Sequence, residues 1–262
     1  MNNIKKDLIK NSIEEETMKS LLEQIEIVIN TWQTLWSPFL SVPVKEEAMK
    51  KFQLFHDLNC YSDGGYPNAE RERICFSRNT EKHNLEKQTA PIKGINIEGN
   101  FLFDRATTND FKDTLKVMGV SPRDLGDLWI IRDRGAQLIC TEELAQELDG
   151  KIRMIREVEV HFKSIEINNL SLPIYRHPRR IRTVEASTRI DAIASAGFGI
   201  SRTKSISHIK EGRLRLNWDQ IKQGRKLLSV GDRIQLEGKG CLEILSIELT
   251  KRGRWKVELL RQ

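Results

Sequence analysis

The sequence has few of the residues that build metal centres or disulfide frameworks. Its four cysteines, Cys60, Cys75, Cys140 and Cys241, are far apart and form no Cys-x-x-Cys pair. None of its five histidines has a second histidine or a carboxylate at metal-ligand spacing. We therefore expect no metal, no cofactor and no disulfide. Reduced thiols are typical of a cytoplasmic protein, which is the location we predict.

The glycine-rich loops and nucleophile motifs of common enzymes are also missing. There is no G-x-G-x-x-G, no P-loop and no Gly-x-Ser-x-Gly elbow, and Gly64-Gly65 lies in a sequence typical of a turn. No apolar run approaches the roughly 18 residues that span a bilayer, and the first residues lack the apolar core of a signal peptide. We predict that the protein is not an enzyme, has no catalytic residues and does not insert into a membrane.

Positive charge is concentrated in the last third of the chain. The whole sequence of 262 residues carries a net charge of +6. Residues 182–262 contain 17 Lys and Arg against 9 Asp and Glu, a net charge of +8, so the rest carries about −2. A basic segment attached to a near-neutral body is typical of a protein that grips a polyanion with one part only.

Residues 188–217 have the pattern helix, turn, helix, strand. Ile190, Ile193 and Ala194 repeat with a helical period, and Ser201 is a natural N-cap for a second helix. Gly212 follows that helix in the usual C′ position. From residue 213 the apolar residues alternate, which predicts a half-buried strand.

The cations of this stretch fall on all three elements. They are Arg189, Arg202, Lys204, His208, Lys210, Arg213 and Arg215. The simpler interpretation is a solvated basic face. Cations on three consecutive elements, beside a helix N-terminus that suits phosphate, favour a surface for RNA.

Three blocks of this stretch resemble the S-four RNA-binding domain, also called the alpha-L motif. The blocks are Arg189-Ile190-Asp191, Ser201-Arg202-Thr203-Lys204 and Gly212-Arg213-Leu214-Arg215-Leu216-Asn217, with Val230-Gly231-Asp232 further on. The resemblance implies RNA contacts from Arg189, Ser201, Arg202, Thr203, Lys204, Lys210 and Arg213. It implies structural roles for Asp191 and Asn217. The sequence departs from the family at Trp218, where Gly is common, and at Ser205, where Ala is common.

A second block resembles YlmH-like proteins. Gly64-Gly65-Tyr66-x-x-Ala69-Glu70-Arg71-x-Arg73 is similar to a motif near the N-terminal end of that family, and Asn217-Trp218 also resembles that branch. Arg71 and Arg73 either contact RNA or pair with Glu70 and Glu72. The combined pattern is most similar to the cyanobacterial and plastid group called photosystem II S-four domain proteins.

The middle of the chain predicts strand, helix, strand, strand, helix, strand, which is a split βαβ arrangement. It resembles the RRM-like domain of YlmH-like proteins, but the sequence has no RNA-binding aromatic run of an RRM. We predict an α+β protein with a mainly helical region at 1–90, an RRM-like domain at 91–170, a basic linker at 171–182 and an S-four domain at 183–262.

The resemblance implies a non-catalytic protein that binds rRNA or tRNA on the large ribosomal subunit in ribosome-associated quality control. We expect a monomer, with possible secondary RNA contacts from Arg179, Arg180, Arg215, Lys251 and Arg252. Two alternatives stay open. One is an RNA-modifying enzyme with a site between the N-terminal and middle domains. The other is a protein-partner factor in photosystem or cell-division biology, for which an apolar surface on residues 1–37 would argue.

Overall fold

The computed structural model describes residues 8–10, 12–79, 88–173 and 177–262. The chain forms two compact units, Met1–Pro173 and Ile174–Gln262. Helices and antiparallel sheets occur in both, so the α+β prediction is confirmed. No described helix has the length and apolar character needed to cross a membrane.

Between Glu15 and Arg78, the first unit has an N-terminal module in which two helices pack over a small sheet. Its elements are α1 (Glu15–Thr31), β1 (Leu35–Trp36), α2 (Val42–Phe52), β2 (Leu58–Asp63) and β3 (Arg73–Arg78). The sheet has the order β1-β3-β2. Helix α2 ends at Phe52, and β2 pairs with β3 along its whole length from Leu58.

Helix α1 packs on its own module. Its apolar stripe includes Met18, Leu21 and Ile25, which are buried in one core with Ile74 and Phe76 of β3. Ile13, Ile27 and Trp32 remain exposed on this segment.

A middle module completes the first unit. Its elements are β4 (Ile92–Glu98), α3 (Thr108–Val117), β5 (Leu125–Ile130), β6 (Gly135–Thr141), α4 (Glu142–Leu148), β7 (Ile152–Ile155) and β8 (Val158–Ile165). The strand order β5-β6-β4-β8-β7 is that of a split βαβ sheet with β7 as an extra edge strand. Arg156 lies at a positive φ of 54° in the turn between β7 and β8.

Both helices of the middle module cover the same sheet face. Phe111 and Leu115 of α3 and Leu148 of α4 share a core with β4 and β6. Each helix starts at a threonine cap: Thr107 forms a capping box with Asp110, and Thr141 accepts a hydrogen bond from the amide of Leu144.

The other face of this sheet is covered by the chain itself. Phe39 of the N-terminal module and Leu170 are buried against Ile92 and Ile139. A Cβ added to Gly94 would lie 2.9 Å from the side chain of Leu170, so the chain crosses the sheet closely there. An RRM reads bases on this face, and here much of it is used for internal packing.

The second unit is a six-stranded antiparallel sheet with two helices. Its elements are β9 (Arg179–Glu185), α5 (Ile190–Phe198), α6 (Arg202–Lys210), β10 (Leu214–Leu216), β11 (Asp219–Gln220), β12 (Arg233–Leu236), β13 (Gly240–Leu249) and β14 (Trp255–Arg261). The strand order is β11-β10-β12-β13-β14-β9. Ile190 and Ile193 of α5 pack on Leu242 and Leu259 of the sheet.

The last four residues of the predicted linker, 179–182, differ from the prediction because they belong to β9. This strand pairs with β14 from Arg179↔Arg261 to Glu185↔Trp255. Ile181 packs against the core, whereas Arg180 and Arg182 are exposed. The alternation is that of an edge strand, and its partner lies more than 70 residues away in the sequence.

Candidate nucleic-acid interface

The turn between α5 and α6 fixes the start of α6. Gly199 ends α5 at a left-handed φ of 64°, a conformation that glycine adopts without strain. Ser201 then caps α6, and its Oγ accepts a hydrogen bond from the amide of Lys204 at 3.2 Å. The positive end of the helix dipole faces the solvent here, where Arg202, Thr203 and Lys204 are all exposed.

A buried carboxylate orders the two arginines of this turn. Asp191 in the first turn of α5 is only 2% exposed. Arg189 donates to both of its oxygens, from Nε at 3.0 Å and from Nη2 at 2.8 Å. Arg202 donates to the same carboxylate from Nη2, at 3.4 Å and 3.3 Å. Their side chains remain 33% and 55% exposed, so both guanidinium groups are held at the surface with N–H groups to spare.

The remaining predicted contacts lie along α6 and just after it. Lys204 and Lys210 are exposed on α6. Arg213 is 44% exposed and lies 3.7 Å from carboxylate oxygens of both Glu211 and Glu237, which balances part of its charge.

The structure adds cations that our sequence interpretation did not include. The loop 221–227 runs beside the start of α5, where the amide of Ile190 donates to the carbonyl of Lys226 at 2.9 Å. This loop carries Lys222, Arg225 and Lys226, all exposed. The sequence shows that these three residues are basic, but only the pairing of their loop with α5 places them next to Arg189. We use the name basic face for the following exposed or half-exposed cations: Arg189, Arg202, Lys204, Lys210, Lys222, Arg225 and Lys226.

The residues that we predicted as possible secondary RNA contacts lie on other parts of the second unit. Arg180 and Arg215 alternate with core residues, so they project from the sheet face opposite α5. Arg180 lies 3.6 Å from the carboxylate of Glu258. Lys251 and Arg252 are exposed in the β13–β14 hairpin, and Arg179 is exposed at the start of β9.

Asn217 and Trp218 form the two-residue turn between β10 and β11. Both have positive φ, 49° and 69°, as a type I′ turn requires. Asn217 accepts from the amide of Arg233 at 2.8 Å and donates to Asp232 at 2.9 Å. The guanidinium of Arg233 lies 5.5 Å from the Trp218 ring centroid, so the tryptophan packs within its own unit.

The YlmH-like motif of residues 64–73 joins the two modules of the first unit. Asp127 of β5 accepts from the Tyr66 hydroxyl at 2.5 Å and from the amides of Glu70 and Arg71 at 2.7 Å and 2.9 Å. Burial raises the pKa of Asp127 to about 6. Tyr66 also has a raised pKa, because its hydroxyl is buried beside that carboxylate.

Arg71 and Arg73 contact backbone carbonyls, a role that we did not consider from the sequence. Arg71 donates to the carbonyls of Leu125 at 2.7 Å, Phe39 at 3.0 Å and Pro122 at 2.8 Å. Arg73 donates to the carbonyls of Ser37 and Pro91 at 2.7 Å and 2.9 Å. Burial lowers the pKa of both guanidinium groups. These arginines tie backbone segments together, and the junction's polar groups satisfy one another.

The fold and the basic face define a mixed α+β protein with a surface that suits a polyanion. Residues 13–80 match the family model described as "YlmH, N-terminal". The chain is 26% identical over 208 residues to the "Ribosome-associated protein quality control protein P2" of Bacillus subtilis (strain 168), covering 79% of each chain. The chain is therefore similar to YlmH proteins over these residues.

A solved structure with a related name shows a weaker likeness. The "Cell division protein ylmH from Streptococcus pneumoniae" is 16% identical, with a TM-score of 0.48 over 60% of this chain and 94% of that one. That score is too low to support a conclusion about this chain.

Proposed function

We propose that this chain is a non-catalytic RNA-binding protein whose second unit is an S-four domain that grips structured RNA. The observation that carries the proposal is the basic face, in which one buried carboxylate orders the half-exposed Arg189 and the exposed Arg202 beside the open N-terminus of α6. Arginine N–H groups and a helix N-terminus both suit phosphate oxygens. A-form RNA is recognised mostly by shape and backbone, and a phosphate-directed surface needs no base contacts for that.

The ribosome is the proposed location of this RNA. This location is supported by the Bacillus subtilis relative, which is named as a protein of ribosome-associated protein quality control. We propose that the bound RNA is rRNA or tRNA on the large subunit, that the protein acts as a monomer, and that it works in the cytoplasm. The narrower resemblance to the cyanobacterial and plastid group stays a prediction.

The enzyme alternative required a cleft with convergent titratable groups between the modules of the first unit. Asp127, Tyr66, Arg71 and Arg73 are the polar groups that meet there, and each is engaged in hydrogen bonds within the protein. Among the described residues no cluster of His, Cys, Asp and Glu could hold a metal ion. This arrangement favours docking of the two modules over chemistry.

Cosedimentation of the full chain with purified ribosomal subunits across a salt series tests the proposal. We expect salt-sensitive binding to the large subunit that is lost in a Lys204→Glu/Lys210→Glu variant, since both lysines are exposed. Lys112→Glu/Lys116→Glu is the matched control, because it makes the same change of charge at two exposed lysines of one helix, α3, in the first unit. Equal binding by both variants would place the RNA surface elsewhere.

A further inference from the structure

The middle module exposes a phenylalanine at the tip of a loop. Phe103, between β4 and α3, is 94% exposed, and its neighbour Leu102 is 55% exposed. The other eight phenylalanines of the chain are buried or half-buried. Burying a phenylalanine normally stabilises a fold by about 1.5–3 kcal/mol, and Phe103 contributes none of this. Its ring is therefore available to a ligand.

The loop around Phe103 is held on both sides. Phe101 is 3% exposed, its ring centroid lies 5.4 Å from that of Phe111, and its amide donates to the carbonyl of Asp133 at 2.8 Å. On the other side, Asp104 accepts from Arg156 at 2.6 Å and from the amide of Glu157 at 3.3 Å. The tip is thus presented from two anchored residues, which lowers the entropy lost when a ligand binds.

Arginines surround this tip. Arg105 lies in the same loop, and Arg132 and Arg134 lie in the adjoining β5–β6 turn; all three are exposed. Within the part of the chain that the structure describes, none of the three forms an ion pair. Of the nearby acids, Asp104 is engaged by Arg156, and the exposed Asp133 lies between Arg132 and Arg134. The three arginines outnumber Asp133, so the net local charge is positive. Arg105 and Arg132 line, with Leu102, a concavity of about 370 Å³.

We propose that this tip, Leu102 and Phe103 with the three arginines, binds an unpaired nucleobase of single-stranded RNA. Phe103 would stack on the base, while Arg105, Arg132 and Arg134 would contact the flanking phosphates. Single-stranded nucleic acid is recognised by this combination of an aromatic platform and a cationic groove. The site goes beyond the proposed function, since it lies in the first unit and uses a base instead of the shape of folded RNA.

Fluorescence titration of the full chain with an unstructured ten-nucleotide RNA tests this site. The RNA carries a central 2-aminopurine, whose emission is quenched on stacking. We expect Phe103→Ala to weaken binding about tenfold and abolish the quenching. Phe103→Trp should retain both, because it keeps an aromatic face. Val117→Ala, which removes apolar surface from a side chain 88% exposed on the same module, should change neither.

Charge variants separate the two parts of the site. Arg132→Glu should weaken binding. Lys163→Glu makes the same change of charge at an exposed position of β8 and should leave binding unchanged. Every titration is repeated in a Lys204→Glu background. The effect of the basic face on binding and the effect of the Phe103 site are then measured independently. The proposal is overturned if Phe103→Ala binds the oligonucleotide as the wild type does. It is equally overturned if binding depends on Arg132 while the quenching survives without Phe103, because the base then stacks elsewhere.

Discussion

Arg202 and Lys204 are neighbours on α6, and we predict that reversing their charges has very different effects on stability. From the sequence both are simply basic residues. In the structure Arg202 donates to the buried carboxylate of Asp191, and Lys204 is exposed. Arg202→Glu therefore places a second carboxylate beside one that is 2% exposed.

The magnitude follows from Coulomb's law and the exposure of Arg202. Two unit charges about 4 Å apart interact by about 4 kcal/mol at an effective dielectric of about 20. Arg202 is 55% exposed, so a glutamate side chain at this position can rotate toward the solvent. Screening by water then reduces the repulsion to about 2 kcal/mol. We expect Arg202→Glu to destabilise the second unit by about 2 kcal/mol. Lys204→Glu should change its stability by less than about 0.5 kcal/mol.

Hydrogen exchange of the full chain, followed in peptides covering residues 186–217, measures this difference. Arg202→Glu should speed exchange in α5 and α6, while Lys204→Glu should leave it as in the wild type. Arg202→Ala should fall between them, because Arg189 still pairs with Asp191. Wild-type protection in Arg202→Glu would refute the role we give to this carboxylate. RNA-binding tests of the basic face are accordingly cleaner with Lys204 than with Arg202.

Three further predictions concern buried polar groups. Ser205→Ala should stabilise the second unit by about 1 kcal/mol in thermal melts, because the buried Ser205 Oγ has no hydrogen-bond partner among the described residues. Arg71→Ala should destabilise the first unit by about 3 kcal/mol in urea titrations, since three backbone carbonyls lose their donor. Asp127 has a folded-state pKa raised to about 6, above its ordinary value, so its contribution to stability is full below about pH 4 and is lost as pH rises through 6. The free energy of unfolding from urea titrations should therefore fall between pH 4 and 7 by up to about 3 kcal/mol more in the wild type than in Asp127→Asn.

Local signals in the sequence predicted the helices and turns of the second unit well. Ser201 caps α6, and Gly212 lies at positive φ beyond its end, as the pattern indicated. These features depend on a few adjacent residues. The order strand, helix, strand, strand, helix, strand of the middle module was likewise predicted, apart from the extra edge strand β7.

Features that depend on distant partners could not be predicted in the same way. β9 is exposed at a sheet edge and looks like a basic linker until its pairing with β14 is known. The loop 221–227 looks like an ordinary polar loop, and only its hydrogen bonds to the start of α5 bring its cations to the basic face. Arg71 and Arg73 looked like surface charges because their partners are backbone carbonyls, which sequence patterns do not reveal.

The docking of Tyr66 and Arg71 onto β5 has a practical consequence for dividing the protein. A fragment ending at residue 90 would uncover Phe39, and one beginning there would uncover Ile139 and the face of the middle sheet. Because each fragment exposes apolar core residues, we expect neither to fold stably in solution. Residues 1–173 together should melt in a single cooperative transition. A cut after Pro173 leaves both cores intact, so the two units can be expressed separately and their contributions to RNA binding weighed one at a time.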